Sequence, residues 1–243
     1  MQNTNIKKRI LIVCPFPEGQ AAGQRLKYEQ FFPSWKRHGF EIEISSFMDP
    51  QMWAVVYTEG NFFKKAFGAI RGYSRRIGDI FRLKKFDVVY VFMWVTPFGS
   101  SFFERLFRLL SIKLIYDIED NAMMAQSNSL NPIMKFFKGS GKIQFLIKEA
   151  DYVITSSPFL NDDCLKLNKN KSCIFISDAM DIKKYVPANN YKNDKDIVIG
   201  WTGTFSSMMY LDLLRDVFLE LNKQIKFKLL IIGNFTYDLP GID

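Results

Sequence analysis

The chain has 243 residues, 48% of them hydrophobic and 24% charged, and a net charge of +8 at pH 7. That is enough to bury one or two cores, and the composition excludes a disordered or fibrous chain. The basic excess points to an anionic partner (nucleic acid, a membrane surface or a phosphorylated substrate) without choosing among them, and three cysteines with no Cys-x-x-Cys argue against a disulfide framework or a zinc site.

Lys7, Lys8 and Arg9 precede an apolar run that is too short for a secretory signal and meets Pro15 and Pro17. That run, 8–14, reads as a first strand. A turn bearing Gly19 and Gly23 follows, then a helix over 24–38. The Gly19-x-x-x-Gly23 spacing is not the Gly-x-Gly-x-x-Gly of dinucleotide binding. It reads either as a loop with a helix cap or as an anion cradle. In the second reading backbone N–H groups, a positive helix end and Gln24, Arg25 and Lys27 face a phosphate at the carboxyl end of the strand. His38 is the only histidine. It sits near a helix C-terminus that Gly39 stops, so a Ser-His-Asp triad or a histidine metal site is not expected.

A strand over 40–47 leads to the segment Asn61 to Phe86. There Phe63, Phe67, Ile70, Ile77, Ile80 and Phe81 fall at helical spacing within a helix expected over 62–84. Lys64, Lys65, Arg71, Arg75, Arg76, Arg82, Lys84 and Lys85 crowd the rest, with Asp79 the one acid. This is the composition of a helix lying on an anionic bilayer, and also that of a sheet-packing helix with a solvated basic face. No RNA-recognition signature accompanies the charges, so nucleic acid is not the expected partner. The apolar stretch Val88 to Val95 is strand length, far below the roughly 20 residues that span a bilayer.

Further strands are expected at 87–94, 112–117, 151–155, 172–176, 196–200 and 227–232, with helices at 98–110, 131–149, 158–168 and 207–222. Unbroken runs such as Ile10 to Val13 suit strands buried on both faces, hence a parallel sheet covered by helices. The fourth strand ends in Tyr116-Asp117-Ile118-Glu119-Asp120-Asn121. Three readings stand for its carboxylates: a metal site, hydrogen bonding to sugar hydroxyls or a general base, and an acidic first helical turn. The polar stretch Ser177 to Lys195 reads as a linker between domains 1–188 and 189–243. After it, Asp196 to Phe205 repeats the opening of strand, glycine turn and helix, with Gly203 and Thr204 in the turn. Two such openings suggest two α/β domains facing each other across a cleft. The chain ends soon after the second, so the second domain reads as partial.

In order and spacing these segments resemble a GT-B glycosyltransferase of the large retaining family 4 group. The matching runs are Gly19 to Arg25, Tyr116 to Asp120, Asp151 to Ser157, Ile176 to Pro187 and Ile199 to Thr204. The linker has Ser177-Asp178-Ala179 where Pro-Asn-Gly is usual, and no Glu-x7-Glu follows Gly203. The resemblance implies an N-terminal Rossmann-like acceptor domain and the first β-α-β of a donor domain. It also implies transfer of a sugar from a nucleotide-sugar to a sugar or lipid-linked acceptor, in polysaccharide or glycolipid synthesis, with no metal or other cofactor. Gly19, Gly23 and Arg25 would then lie on the phosphate or acceptor side, Glu119 or Asp120 would touch sugar or acceptor, and Gly203 and Thr204 would neighbour the donor diphosphate. The expected location is cytoplasmic, peripheral on the inner membrane face, and the chain alone is expected to transfer little sugar. The competing readings are a nucleotide-binding oxidoreductase or epimerase, with Glu41 or Glu43 as the ribose acid, and a non-catalytic accessory protein.

Overall fold

The computed structural model describes residues 8–119, 140–180, 182, 197–203, 207–233 and 236–242. The chain divides into two compact units, Met1–Asp181 and Ile182–Asp243.

The first unit is built on six parallel strands: β1 (Lys8–Cys14), β2 (Phe40–Ser46), β3 (Val88–Phe92), β4 (Leu114–Ile118), β5 (Tyr152–Thr155) and β6 (Cys173–Phe175). Their spatial order is β2-β1-β3-β4-β5-β6. Each expected strand is present, most of them a residue or two shorter. The period of two divides the central strands β1, β3, β4 and β5 between two cores. Ile10, Ile12 and Cys14 of β1 join Tyr90 and Phe92 of β3 on one face. Leu11, Val13, Val89, Val91, Leu114 and Tyr116 line the other. Burial on both faces explains the unbroken apolar runs.

The first face is covered by a short helix α1 (Ala22–Lys27), a 3-10 turn (Glu29–Phe31) and α2 (Phe32–Arg37). The single helix expected over 24–38 is thus broken at Tyr28, whose fully buried ring packs edge-on against Tyr90 and Phe92. Pro33 then restarts the helix at its first turn. A helix missing from the sequence reading, α3 (Pro50–Val56), is capped by Asp49, whose side chain accepts from the Met52 N–H at 2.8 Å.

The other face carries the tail of α4 (Phe62–Ile80) with α5 (Phe102–Leu110), α6 (Ser140–Glu149) and α7 (Pro158–Leu167). Helix α4 turns an unusual face inward: Gly68, Gly72, Arg76 and Asp79. A Cβ on Gly68 would lie 2.8 Å from Met52, and one on Gly72 would lie 2.6 Å from the Phe47 ring, so only glycine permits this approach. Arg76, counted by its sequence among the basic flank, is fully buried.

In the second unit β7 (Ile197–Thr202) and β8 (Phe227–Ile232) pair in parallel from Ile197↔Phe227 to Thr202↔Ile232. The helix expected between them is split into α8 (Met208–Asp212) and α9 (Arg215–Gln224). Leu211, Phe218, Phe227 and Leu239 form the core of this unit.

Candidate functional site

The chain leaves β1 for β2 on one side and returns to β3 on the other. Connections therefore diverge at the carboxyl ends of β1 and β3, the place where open parallel sheets leave a crevice. A groove of about 490 Å³ lined by Lys36, Phe40, Glu41 and Ile42 lies at the amino end of β2, at the opposite rim.

The loop after β1 is braced from inside. Gln24 is fully buried; its Oε1 accepts from the Phe16 N–H at 3.0 Å, and its Nε2 donates to Phe16 O and to Glu29 Oε1, each at 3.1 Å. Gly19 has φ +76°, the left-handed region that glycine enters freely. Its N–H donates to Glu29 Oε2 at 2.9 Å. The glycine amide thus already faces a carboxylate supplied by the chain. Helix α1, six residues long, has Ala21 at its N-cap and no side-chain cap.

Gly23 lies inside α1 with an ordinary helical backbone, so it is not held by a need for positive φ. Close approach holds it instead. A Cβ there would sit 2.7 Å from Glu119 Oε2, at the end of β4. The Ser156 hydroxyl, at the end of β5, donates to the Glu119 carbonyl. Arg25 is exposed on α1.

Two residues before Glu119, Asp117 is fully buried, with Lys27 Nζ 3.1 Å from its Oδ1. The two charges form a buried ion pair. The Tyr90 hydroxyl donates to Asp117 Oδ2. Burial lifts the Asp117 carboxyl above its ordinary 3.8; Lys27 and Tyr90 oppose that rise, and Asp178 adds to it. The Tyr90 phenol is pushed well up by burial and by Asp117. Of the cations beside the glycine turn, then, Lys27 is spent on Asp117 and Arg25 faces solvent.

The loop after β3 lies at the same carboxyl rim. Met93 has φ +62°, a left-handed backbone rare outside glycine and frequent at functional sites. Its N–H donates to Asp117 O at 3.0 Å, and its carbonyl accepts from the Tyr116 hydroxyl at 2.9 Å. Arg76 reaches this rim from α4. It donates to Val95 O at 2.7 Å, Cys14 O at 3.0 Å and Ser45 O at 3.1 Å, which ties the ends of β1 and β2 to the loop after β3. Glu104, fully buried, accepts from the Thr96 N–H at 3.2 Å, while Lys142 donates to Thr96 O at 2.9 Å and Phe98 O at 2.6 Å. Burial raises the Glu104 carboxyl against the pull of Lys142.

The structure brings Gly23 and Glu119 into contact and places Gly19 and Arg25 in the same loop and helix. Gly203 ends β7 in the second unit, where its N–H donates to Ile232 O at 3.1 Å and extends the ladder. Asp120 and Thr204 lie outside the described residues. Among the described residues no group of three His, Cys, Asp or Glu is arranged to hold a metal ion. Sequence reasoning did not single out Tyr90, Glu104, Lys142 or the buried role of Arg76. The spacing Gly68-x3-Gly72-x3-Arg76-x2-Asp79, one helical face, was the available signal for the last.

No protein-family model matches the chain, and no curated protein does. Solved structures do. The chain is similar to the sucrose-phosphate synthase of Thermosynechococcus elongatus (TM-score 0.61, 13% identity, 94% of this chain and 63% of that one). It is similar to a glycosyltransferase from Rickettsia africae (TM-score 0.55, 15% identity, 94% and 61%). It also resembles an alpha-glucosyltransferase solved in complex with UDP (TM-score 0.51, 11% identity, 92% and 57%). The fold is therefore the α/β, GT-B-like fold of glycosyltransferases, and the chain spans less than two thirds of the length of each of these relatives.

Proposed function

We propose that this chain, with an acceptor-side first unit and a donor-side second unit, belongs to a glycosyltransferase that moves a sugar from a nucleotide-sugar to an acceptor. The observation that carries the reading is the fold shared with three glycosyltransferase structures, with a built polar rim at its switch point. One of those neighbours was solved with UDP, which supports a nucleotide-sugar donor.

Within this reading Glu119, poised over Gly23, hydrogen-bonds a sugar or acceptor hydroxyl, and exposed Arg25 meets an anionic group. Asp120, Gly19, Gly203 and Thr204 remain members of the proposed set. Asp117, Lys27 and Gln24 are positioning residues: they fix α1 and the loop after β1 against the sheet. Retention of configuration, a family 4 affinity, a polysaccharide or glycolipid acceptor and a cytoplasmic, membrane-peripheral location complete the proposal.

Binding of UDP, GDP and their sugars, measured by calorimetry against NAD, tests it. Saturable binding of a nucleotide-sugar supports the reading. Tighter binding of NAD overturns it in favour of an oxidoreductase or epimerase.

A further inference from the structure

The outward face of α4 is its apolar one. Phe63, Phe67, Ile70, Ile77 and Phe81 recur at steps that keep them on one stripe, and all are exposed, Phe63 by 85% and Phe81 by 83%. The fold enforces this orientation. Turning the helix to bury the stripe would tear Arg76 from Cys14, Ser45 and Val95 and would lift Gly68 and Gly72 from Met52 and Phe47. Helix α5 packs beside α4 through the Tyr73 and Phe103 rings, 5.7 Å apart, and exposes Phe102 and Leu109. Among the described residues no helix is long and apolar enough to cross a membrane.

Within residues 61–86 every exposed charge is basic, while Glu59 and Asp87, just outside that segment, are exposed acids. Lys64, Lys84, Lys85 and, on α5, Arg105 are exposed. Arg71 stacks over the Phe67 ring, its guanidinium carbon 4.9 Å from the centroid, while its Nε donates to Asp49 Oδ2 at 2.6 Å, so its charge is already paired. The one acid of this segment, Asp79, is buried and neutralised by Arg76 and Arg82. An apolar stripe edged by cations matches the acyl boundary and phosphate level of an anionic bilayer. A second copy would bring two basic faces together. Nucleic acid would use the cations and leave the phenylalanines in water.

We propose that α4, with α5 at its side, is the face by which this protein lies on an anionic lipid surface. The inference rests on the exposed face of α4 and not on the sugar-transfer reading, so the two fail separately.

The full chain is sedimented with vesicles of phosphatidylcholine alone and of phosphatidylcholine mixed with phosphatidylglycerol. Binding to the mixed vesicles is expected, weakened by salt. Replacing Lys84→Glu and Lys85→Glu lowers the partition by about 25-fold or more, at about fivefold per cation removed. The triple change Phe63→Ser, Phe67→Ser and Phe81→Ser, all at exposed positions, abolishes binding with an unchanged circular dichroism spectrum and thermal midpoint. Equal binding to both vesicle types, or none to either, overturns the proposal. So does a dimer that the serine variant dissociates in the absence of vesicle binding, or duplex DNA binding that survives the serine changes and is not displaced by the mixed vesicles.

Discussion

Arg76→Met tests whether one buried guanidinium organises the carboxyl rim of the sheet. Methionine keeps most of the volume and removes every donor. Asp79 loses one of its two cations, though Arg82 still holds Oδ1 at 2.7 Å. Removing one partner of a buried pair costs about 3–5 kcal/mol, and the retained Arg82 contact places this change at the lower end. The carbonyls of Cys14, Ser45 and Val95 each lose a donor, about 1 kcal/mol apiece where water cannot replace it. A loss of about 4–6 kcal/mol is expected, a large share of the roughly 5–15 kcal/mol that holds a domain together. The assay is urea unfolding of wild type and variant followed by circular dichroism, read at the transition of the first unit. Arg76→Lys should fall between the two, since one ammonium cannot span two strand ends and the loop after β3. Adding Asp79→Asn to Arg76→Met should recover part of the loss by removing the stranded charge. A loss below about 1 kcal/mol for Arg76→Met would refute the reasoning, because it would mean that water satisfies those carbonyls unaided.

Lys27→Met leaves the buried Asp117 carboxylate without its cation and should cost about 3–5 kcal/mol at neutral pH, measured by thermal or urea unfolding. Because the Asp117 carboxyl is already raised in the folded state, its contribution to stability is greatest at low pH and falls as pH climbs through the window above 3.8; in the variant that fall continues to higher pH, so acidification should narrow the gap between the two proteins. Gly23→Ala should leave the thermal midpoint nearly unchanged, since alanine gains about 1 kcal/mol of helix propensity, while the displaced Glu119 carboxylate weakens acceptor or nucleotide-sugar binding several-fold in a titration. Burial pushes the Cys14 thiol up to about 11 and Cys164 to about 12, so native protein should alkylate at half-buried Cys173 first, with the other two reacting only on unfolding, as mass spectrometry would show. The same shifts make stability fall as pH rises above 9.0, because the unfolded chain sheds thiol protons that the folded chain retains.

The strands were legible because burial on both faces leaves an unbroken apolar run, as in Ile10 to Val13, which little else imitates. Long helices were legible by period, but their interruptions were not. Tyr28 breaks the first helix because its ring is wanted between Tyr90 and Phe92, a tertiary demand no local pattern records. The helix at 50–56 was missed although Asp49-Pro50 is a cap followed by an N1 proline. At the site, Gly19, Gly23 and Glu119 could be named from glycine spacing and a strand-end acid. Their actual constraints could not. Gly19 presents its amide to Glu29, ten residues on, and Gly23 is fixed by a side chain from another strand. Buried charge was the least visible layer: Lys27 reads as a cation facing a phosphate, and Glu104 and Lys142 carry no signal, until their partners, distant in sequence, are placed beside them.

Helix α4 shows why such charges were misassigned and what their burial does. A periodic Phe/Ile stripe normally faces the core, and a basic flank normally faces water. Here the sheet ends present carbonyls rather than apolar side chains to the helix, so the partner they select is a guanidinium, and two glycines bring it within reach. Once Arg76 takes the inward position, the helical period carries Phe63, Phe67, Ile70, Ile77 and Phe81 outward. The contacts that hold the rim of the site therefore also set which residues meet an outside surface. A change that freed Arg76 would remove the brace from the strand ends and the orientation from the stripe together, so the stability of the first unit and its affinity for anionic vesicles should fall in the same variants.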